Sequence, residues 1–317
     1  MPGWASGLAA LALALSAGTP GVLFAFSDRG IAESSGLVDT GEVVYTVNDS
    51  GSDPVLYAVD PRTGDTTGRT AYTTDPVEDV EALAPGRAGT VWVADIGDNQ
   101  AGRDRVSLYR VRPGAATAPR LDLTYPDGPR DAETLLSHPR TGRLFVVSKT
   151  VFGGTVYAVP AGTRPGATTE LRRFAQVPGL VTDGAFLPDG RHVVLRSYAT
   201  ATVYTFPGFE RRGTFTLPEQ RQGEAVSVSH TGRVLLSSEG VGTDVVEIVV
   251  PRRLTAAQPE ASPSPSASPS PATSEPVPRA RSRDAGTVTF ALRVAAGLVL
   301  LGALGVALRR LWRSDRG

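Results

Sequence analysis

The stretch "GLVDTGEVVYTVNDSGSDPVLYAVDP" (residues 36–61) holds three apolar runs of strand length, joined first by a glycine turn and then by a polar loop. The same pattern returns along the chain at intervals of about 40–50 residues, which is the spacing of a structural repeat. The other units are "ALAPGRAGTVWVADIGDNQAGRDRVSLYRVRP" (82–113), "TLLSHPRTGRLFVVSKTVFGGTVYAVPAG" (134–162), "AFLPDGRHVVLRSYATATVYTFPGF" (185–209) and "AVSVSHTGRVLLSSEGVGTDVVEIVVP" (225–251). This periodicity predicts a fold built from one repeated unit.

A fourth, more variable strand follows each of the first four units, for example in "ELRRFAQVP" (170–178) and "RRGTFTLPE" (211–219). Short antiparallel strands repeated at this spacing are typical of a β-propeller. We therefore predict an all-β domain over residues 19–258 with five four-stranded blades. Six blades are the alternative if a linker hides a strand pair. The fifth unit lacks a fourth strand, and the segment "GVLFAFSD" (21–28) would close the ring by pairing there.

The repeat also predicts where the polar residues meet. In a four-stranded antiparallel blade, the segment that leads into strand 1 and the loop between strands 2 and 3 lie at the same end. Acidic residues recur in both places, so we expect them to converge on one opening of the propeller, here called the mouth. The predicted ligand-binding residues of the mouth are Glu81, Glu133, Lys149, Arg196, Glu224 and Glu239.

The turns between strands 1 and 2 should lie on the opposite face. All three histidines, His138, His192 and His230, fall in or beside these turns. A histidine-based zinc site or a Ser-His-Asp triad at the mouth is therefore not expected.

Two mouth loops, "NDSGSD" (48–53) and "DIGDN" (95–99), offer Asp and Asn oxygens at short spacing. Clustered carboxylates require a cation or raised pKa values, and ligation by oxygen alone favours Ca²⁺. The candidate metal ligands are Asp49, Asp95, Asp98 and Asn99. The alternative is that these side chains cap backbone amides in turns, and that the mouth glutamates pair with nearby arginines.

The motifs "ESSGL", "NDSG" followed by "LYAVD", and "EDVEAL", "RDAETL" and "GEAVSV" resemble those of exported, membrane-anchored actinobacterial propeller proteins. More distantly, they are similar to esterase-like phytases and gluconolactonase-type propellers. Those families carry a metal or acidic site in the central mouth. The resemblance covers roughly residues 25–250 and implies that Glu81, Glu133, Glu224 and Asp95 correspond to the mouth acids.

Two functions from different classes remain. The first is a non-catalytic binding module whose acidic mouth takes a small ligand, a glycan or a protein. The second is a Ca²⁺-dependent hydrolase of phosphoesters or lactones, with Glu133 or Glu224 as the general base. Few cationic or nucleophilic groups are expected at the mouth, which favours binding.

The two ends of the chain predict export and a membrane anchor. Residues 1–18 have the apolar run and small residues of a signal peptide, although no basic residue precedes the run. Residues 259–285 read as a Ser/Pro-rich stalk, and residues 286–308 are long enough for one transmembrane helix. The tail, 309–317, should be cytoplasmic and the propeller extracytoplasmic.

Composition excludes several kinds of site and one class of function. The chain has no cysteine, so disulfides, thiolate metal sites and a cysteine nucleophile are excluded. The 32 basic and 32 acidic residues balance overall. Residues 259–317 hold eight arginines against four acids, a net +4, so residues 1–258 carry −4. A basic nucleic-acid-binding face is not predicted.

Overall fold

The computed structural model describes residues 21–49 and 51–256, where the regular structure is β apart from one short 3-10 helix at Arg252–Leu254. The strands form five sheets. The prediction of five blades is therefore confirmed, and the described residues form no sixth blade.

Each blade runs outward from an innermost strand. Blade I contains β2 (Ser34–Asp39), β3 (Val44–Asn48), β4 (Val55–Val59) and β5 (Thr66–Ala71). Blade II contains β6 (Val80–Pro85), β7 (Val91–Asp95), β8 (Val106–Val111) and β9 (Arg120–Thr124). Blade III contains β10 (Ala132–Ser137), β11 (Leu144–Ser148), β12 (Gly153–Ala158) and β14 (Arg172–Pro178). Blade IV contains β15 (Asp183–Phe186), β16 (His192–Arg196), β17 (Thr200–Thr205) and β18 (Arg211–Thr216).

Blade V is completed from both ends of the domain. It contains β19 (Gly223–Val228), β20 (Val234–Ser238), β21 (Asp244–Ile248) and, as its outermost strand, β1 (Gly21–Ala25). β1 pairs antiparallel with β21, so the predicted closure is confirmed. The pairing covers an edge that would otherwise expose unpaired backbone groups.

One strand was not predicted. β13 (Thr168–Glu170) lies in the connection between β12 and β14, and it pairs in parallel with β9 of the neighbouring blade. Blade II therefore has five strands in its sheet. The sequence offered no signal for this, because a three-residue polar strand has no hydrophobic alternation to detect.

The core is divided among the interfaces between neighbouring blades. Leu83 and Val93 of blade II, for example, pack against Val38 and Val47 of blade I. Innermost strands are covered on both faces, and β6 is buried at every position except its last. The outer strand β5 instead alternates between more and less exposed positions, as expected for a strand with one face in water.

The predictions for the chain ends concern segments outside the described residues. These are the signal peptide (1–18), the stalk (259–285), the transmembrane helix (286–308) and the tail (309–317). Within residues 21–49 and 51–256, no helix is long and apolar enough to cross a membrane.

Candidate functional site

The mouth is built by irregularities at the start of the innermost strands. In β2, β6, β10 and β19, the pairing register with the next strand shifts near the first residue of the strand. The residues inside these β-bulges include Ser35, Glu81, Glu133 and Glu224. A bulge bends the strand and redirects a side chain, which is how three blades can present a glutamate at one position.

Blade IV lacks this bulge, because β15 pairs with β16 without a register shift. It also contributes no glutamate to the mouth, because none occurs in β15 or in the segment that leads into it. Its acidic residue, Asp183, is fully buried, and its Oδ2 accepts the backbone N–H of Val226 in blade V at 2.7 Å. Burial raises the pKa of Asp183 well above its usual value. Asp183 thus joins blades IV and V through Oδ2, and its other oxygen, Oδ1, is buried without a hydrogen-bond partner.

Asp95 of the "DIGDN" loop is hydrogen-bonded to the segment that leads into β6. Its carboxylate accepts the backbone N–H groups of Glu78 and Asp79 and pairs with Arg103 at 2.8 Å. Asn48, at the matching place in blade I, accepts the N–H groups of Ala32 and Glu33 in the same way. An amide serves as well as a carboxylate here, so backbone capping accounts for Asp95.

Asp98 and Asn99 are also engaged within the protein. Asp98 accepts the backbone N–H groups of Gly102 and Arg103, both at 2.9 Å, and so caps its own loop. Asn99 is exposed and donates its amide to Asp79 Oδ2 at 3.3 Å. The predicted metal role of Asp95, Asp98 and Asn99 remains a prediction, but the carboxylate oxygens of Asp95 and Asp98 already accept backbone N–H groups.

A different set of carboxylates comes together. One oxygen from each of Asp49, Asp79 and Glu81 lies within 4.8 Å of the other two. Gly97 makes this approach possible. A Cβ at position 97 would lie 2.5 Å from Asp79 Oδ2 and 2.6 Å from Glu81 Oε1. Asp49 was predicted as a metal ligand from the sequence and Glu81 as a ligand-binding residue of the mouth, whereas Asp79 comes from the segment that leads into β6.

The second half of the mouth is centred on Lys149. Its ammonium pairs with Oε1 of Glu133 and lies 5.9 Å from the ring centroid of Tyr198. Glu133 is only 5% exposed, and its other oxygen, Oε2, has no hydrogen-bond partner. Tyr198 was not singled out from the sequence, although it is the aromatic residue of the blade IV loop "RSYAT".

Burial and mutual repulsion raise the pKa values of the mouth glutamates. Burial, followed by the negative charge of Glu133, raises the pKa of Glu81 well above its usual value. Burial likewise raises the pKa of Glu133 and Glu224, although Lys149 opposes the rise in both. The same acids keep the pKa of Lys149 high against the effect of burial. One lysine thus shares its charge among several carboxylates.

The last two predicted mouth residues differ in their surroundings. Arg196 is 1% exposed and donates to the backbone oxygens of Ala225 and Ser237 and to Oε1 of Gln220. Burial lowers the pKa of Arg196 to about 10. Glu239 accepts the side-chain amide of Gln222 at 2.6 Å. Arg196 thus stabilises the junction between blades IV and V.

The donor set fits a hard divalent cation. Asp49, Asp79 and Glu81 supply oxygen ligands only, and Oε2 of the neighbouring Glu133 is a buried acceptor without a donor. Glu81 and Glu133 also interact electrostatically, which shows that the two parts of the mouth adjoin. Oxygen ligands in a flexible arrangement are what Ca²⁺ prefers, and a cation would offset the repulsion among these acids.

Comparisons with known proteins do not assign a family. No family model and no curated protein matches the chain. Similar solved structures include the hydrazine synthase of Kuenenia stuttgartiensis, at 15% identity and a TM-score of 0.42, which covers 66% of this chain and 56% of that chain. The gluconolactonase XC5397 of Xanthomonas campestris has 17% identity and a TM-score of 0.43, and the match covers 67% of this chain and 70% of that chain. The glutaminyl cyclase of Myxococcus xanthus has 10% identity and a TM-score of 0.48, and the match covers 73% of this chain and 97% of that chain.

At such low identities and TM-scores, these neighbours carry no argument about activity or ligand. This chain also spans little more than half of the hydrazine synthase chain. Fold and site together define a five-bladed β-propeller with an acidic mouth.

Proposed function

We propose that this chain is a binding propeller displayed on the outer side of a cell membrane, and that its mouth binds Ca²⁺ together with an extracellular ligand. The observation that carries the proposal is the meeting of Asp49, Asp79 and Glu81 within 4.8 Å. Three carboxylates so close together repel one another unless they are protonated or share a cation.

The surroundings support a cation in two further ways. Glu133 brings a buried carboxylate oxygen without a hydrogen-bond donor to the same mouth. Lys149 is already paired with the other oxygen of Glu133, so its positive charge does not compensate the three clustered carboxylates fully. The ligand of the mouth should therefore be a cation, or a small ligand, glycan or protein that binds through one.

A Ca²⁺ titration of the purified full chain by isothermal calorimetry tests the proposal. We expect one site in the wild type and a loss of affinity of about tenfold or more in Asp79→Asn and in Glu81→Gln. Glu78→Gln is the matched control, because Glu78 is an exposed acid beside the cluster and pairs only loosely with Arg103 at 3.4 Å. Equal affinity in all four proteins, or no heat in the wild type, would contradict the proposal.

A Ca²⁺-dependent hydrolase of phosphoesters or lactones is the second candidate. The unpartnered Oε2 of Glu133 and the raised pKa of Glu224 suit a general base that takes a proton from water. Turnover of generic phosphoester and lactone substrates should then exceed that of a Glu133→Gln, Glu224→Gln double mutant. Equal rates in the two proteins would exclude this candidate and leave the binding function.

Display outside the cell follows from the predicted ends of the chain. Residues 259–285 would form the stalk and 286–308 the anchor in the cytoplasmic membrane. Because the chain has no cysteine, one introduced by Ser266→Cys in the stalk can be labelled selectively. A membrane-impermeant maleimide should label it in intact cells, and labelling only after lysis would overturn the predicted topology.

A further inference from the structure

A cavity of about 630 Å³ lies at the end of the propeller opposite the mouth. All five turns between strands 1 and 2 border it, including those around Thr40, Arg87, Pro139, Pro188 and His230. We call this cavity the funnel. An innermost strand of six residues is about 20 Å long, so the funnel and the mouth are separated by the length of these strands.

The base of the funnel is apolar and has one gap. Strand pairing places Leu37, Leu83, Leu135, Ala185 and Val226 at the same position of the five innermost strands. All of them line the funnel. Four blades thus provide a branched apolar side chain, whereas blade IV provides only the methyl group of Ala185. Ala185 is also partly exposed, whereas the other four residues are buried.

The charges around the funnel nearly cancel. Asp39 is buried, and Arg233 binds both of its carboxylate oxygens, at 2.6 and 2.7 Å. The other charged residues among the lining are Glu42 and Arg87, which are exposed and opposite in sign. A charged ligand would therefore find no net compensating charge here, unlike at the mouth.

The polar groups of the funnel include hydrogen-bond donors. Ser227 accepts the backbone N–H of Asp39 at 2.8 Å through Oγ, so its hydroxyl hydrogen can be donated elsewhere. Nδ1 of His138 accepts the backbone N–H groups of Arg140 and Thr141, which places the proton of the neutral ring on Nε2. Both side chains line the cavity. They suit a ligand that carries oxygen acceptors.

We propose that the funnel is a second binding site, which takes an uncharged small molecule with an apolar ring or chain and at least one oxygen acceptor. The volume falls within the range of about 300–1,000 Å³ that is usual for small-molecule sites. An apolar base with a few polar groups at the rim is also their usual composition. The inference is independent of the Ca²⁺ site, which involves none of the same residues.

The absence of cysteine in the chain allows a direct test. In the full chain, Ala185→Cys would place one thiol at the gap in the base, and Val22→Cys would place one on β1, where Val22 is 61% exposed. Both proteins are treated with N-phenylmaleimide, an uncharged aromatic reagent, over a range of concentrations. The labelling rate is followed by mass spectrometry, with and without 2-phenylethanol, which has an apolar ring and one hydroxyl oxygen.

If the funnel binds such molecules, the rate for Ala185→Cys reaches a plateau as the reagent concentration rises. 2-Phenylethanol should then slow the reaction several-fold. The rate for Val22→Cys should rise linearly and be unaffected by the alcohol. The same result is expected in Ca²⁺ and in EDTA, so a failure of the mouth proposal would not alter it. A linear rate for Ala185→Cys without protection, or no reaction of that thiol, would overturn the inference.

Discussion

The two ends of the propeller are lined by the same five innermost strands, yet they differ in chemistry. At the mouth, bulges in three blades bring glutamates together, and Lys149 is shared among them. At the funnel, the same strands have regular pairing and present Leu, Val or Ala. Where the bulged residue is a glutamate, the start of the strand makes the mouth acidic, while the regular part of the same strand keeps the funnel apolar.

This difference shows that a repeat can hold two sites whose requirements conflict. Buried carboxylates are costly unless they are compensated, whereas an apolar cavity loses affinity for its ligand if charges intrude. Because the mouth and the funnel are separated by the length of a strand, residues of one site can be changed without affecting the other site. Substitutions at one end of the propeller should therefore leave the other end unchanged.

Lys149→Met should have the largest effect, because it removes the ion-pair partner of the buried Glu133. Breaking a buried pair from one side costs about 3 kcal/mol or more of unfolding free energy. The loss should shrink at low pH, where Glu133 can take up a proton. Urea unfolding of the variant at pH 5 and pH 8 measures both effects.

Lys149→Met combined with Glu133→Gln is the control for that prediction. It should recover part of the stability at pH 8, since no buried charge is then left unpaired. When Ala185→Cys is added to either protein, its labelling by N-phenylmaleimide should be unchanged. A double variant as unstable as Lys149→Met alone would show that the ion pair is not the cause.

Gly97→Val should disrupt the mouth with a smaller effect on the rest of the fold. A side chain at this position collides with Asp79 and Glu81, and overpacking of this kind costs about 1–3 kcal/mol. We expect Ca²⁺ binding to be lost in calorimetry while N-phenylmaleimide labelling at position 185 persists. The matched control is Gly102→Val, because a Cβ at position 102 would contact nothing within 4 Å. Full Ca²⁺ affinity in Gly97→Val would contradict the assigned cluster.

The pH dependence of stability in EDTA should report the raised pKa of Glu81. Folding raises this pKa above its usual 4.5, so the folded state keeps a proton that the unfolded chain releases. Glu81 therefore destabilises the fold progressively as the pH rises above about 4.5. Compared with wild type in EDTA, Glu81→Gln should melt at nearly the same temperature at pH 4 and at a higher one at pH 8. A constant difference between the two proteins would refute the shift.

Ala185→Leu should have the smallest effect and the opposite sign. It gives blade IV the side chain that Leu37, Leu83 and Leu135 supply in other blades, and filling a gap typically adds about 0.5–2 kcal/mol. The variant should melt at a slightly higher temperature and bind Ca²⁺ as the wild type does. A lower melting temperature would mean that the base of the funnel has no room for the larger side chain.

The sequence alone predicts the five blades and the closure by the N-terminal strand, because hydrophobic alternation and turns repeat in register. It also predicts that the glutamates share one end. The absence of a bulge in blade IV could not be foreseen, since "TDGAF" (182–186), like "DAETL" (131–135), places an acid just before an apolar residue, and residue types alone do not show the pairing register.

The contacts of the polar loop residues were also beyond the sequence. Asp95 and Asp79 both lie in acidic segments. The carboxylate of Asp95 accepts backbone N–H groups, whereas that of Asp79 lies beside Asp49 and Glu81. That distinction depends on which N–H groups the chain brings near each carboxylate. The funnel was missed because its apolar lining looks like core in a sequence, and only the packing of five turns leaves it open.

The most direct test of the central claim, that the mouth is a cation site, is a thermal melt of the full chain in excess Ca²⁺ and in EDTA. A ligand at about a hundred times its dissociation constant adds about 2.7 kcal/mol, which means a rise of roughly 5–10 °C for a domain of this size. We expect that rise in the wild type and its loss in the Asp79→Asn, Glu81→Gln double variant. The same melting temperature with and without Ca²⁺ in the wild type would contradict it.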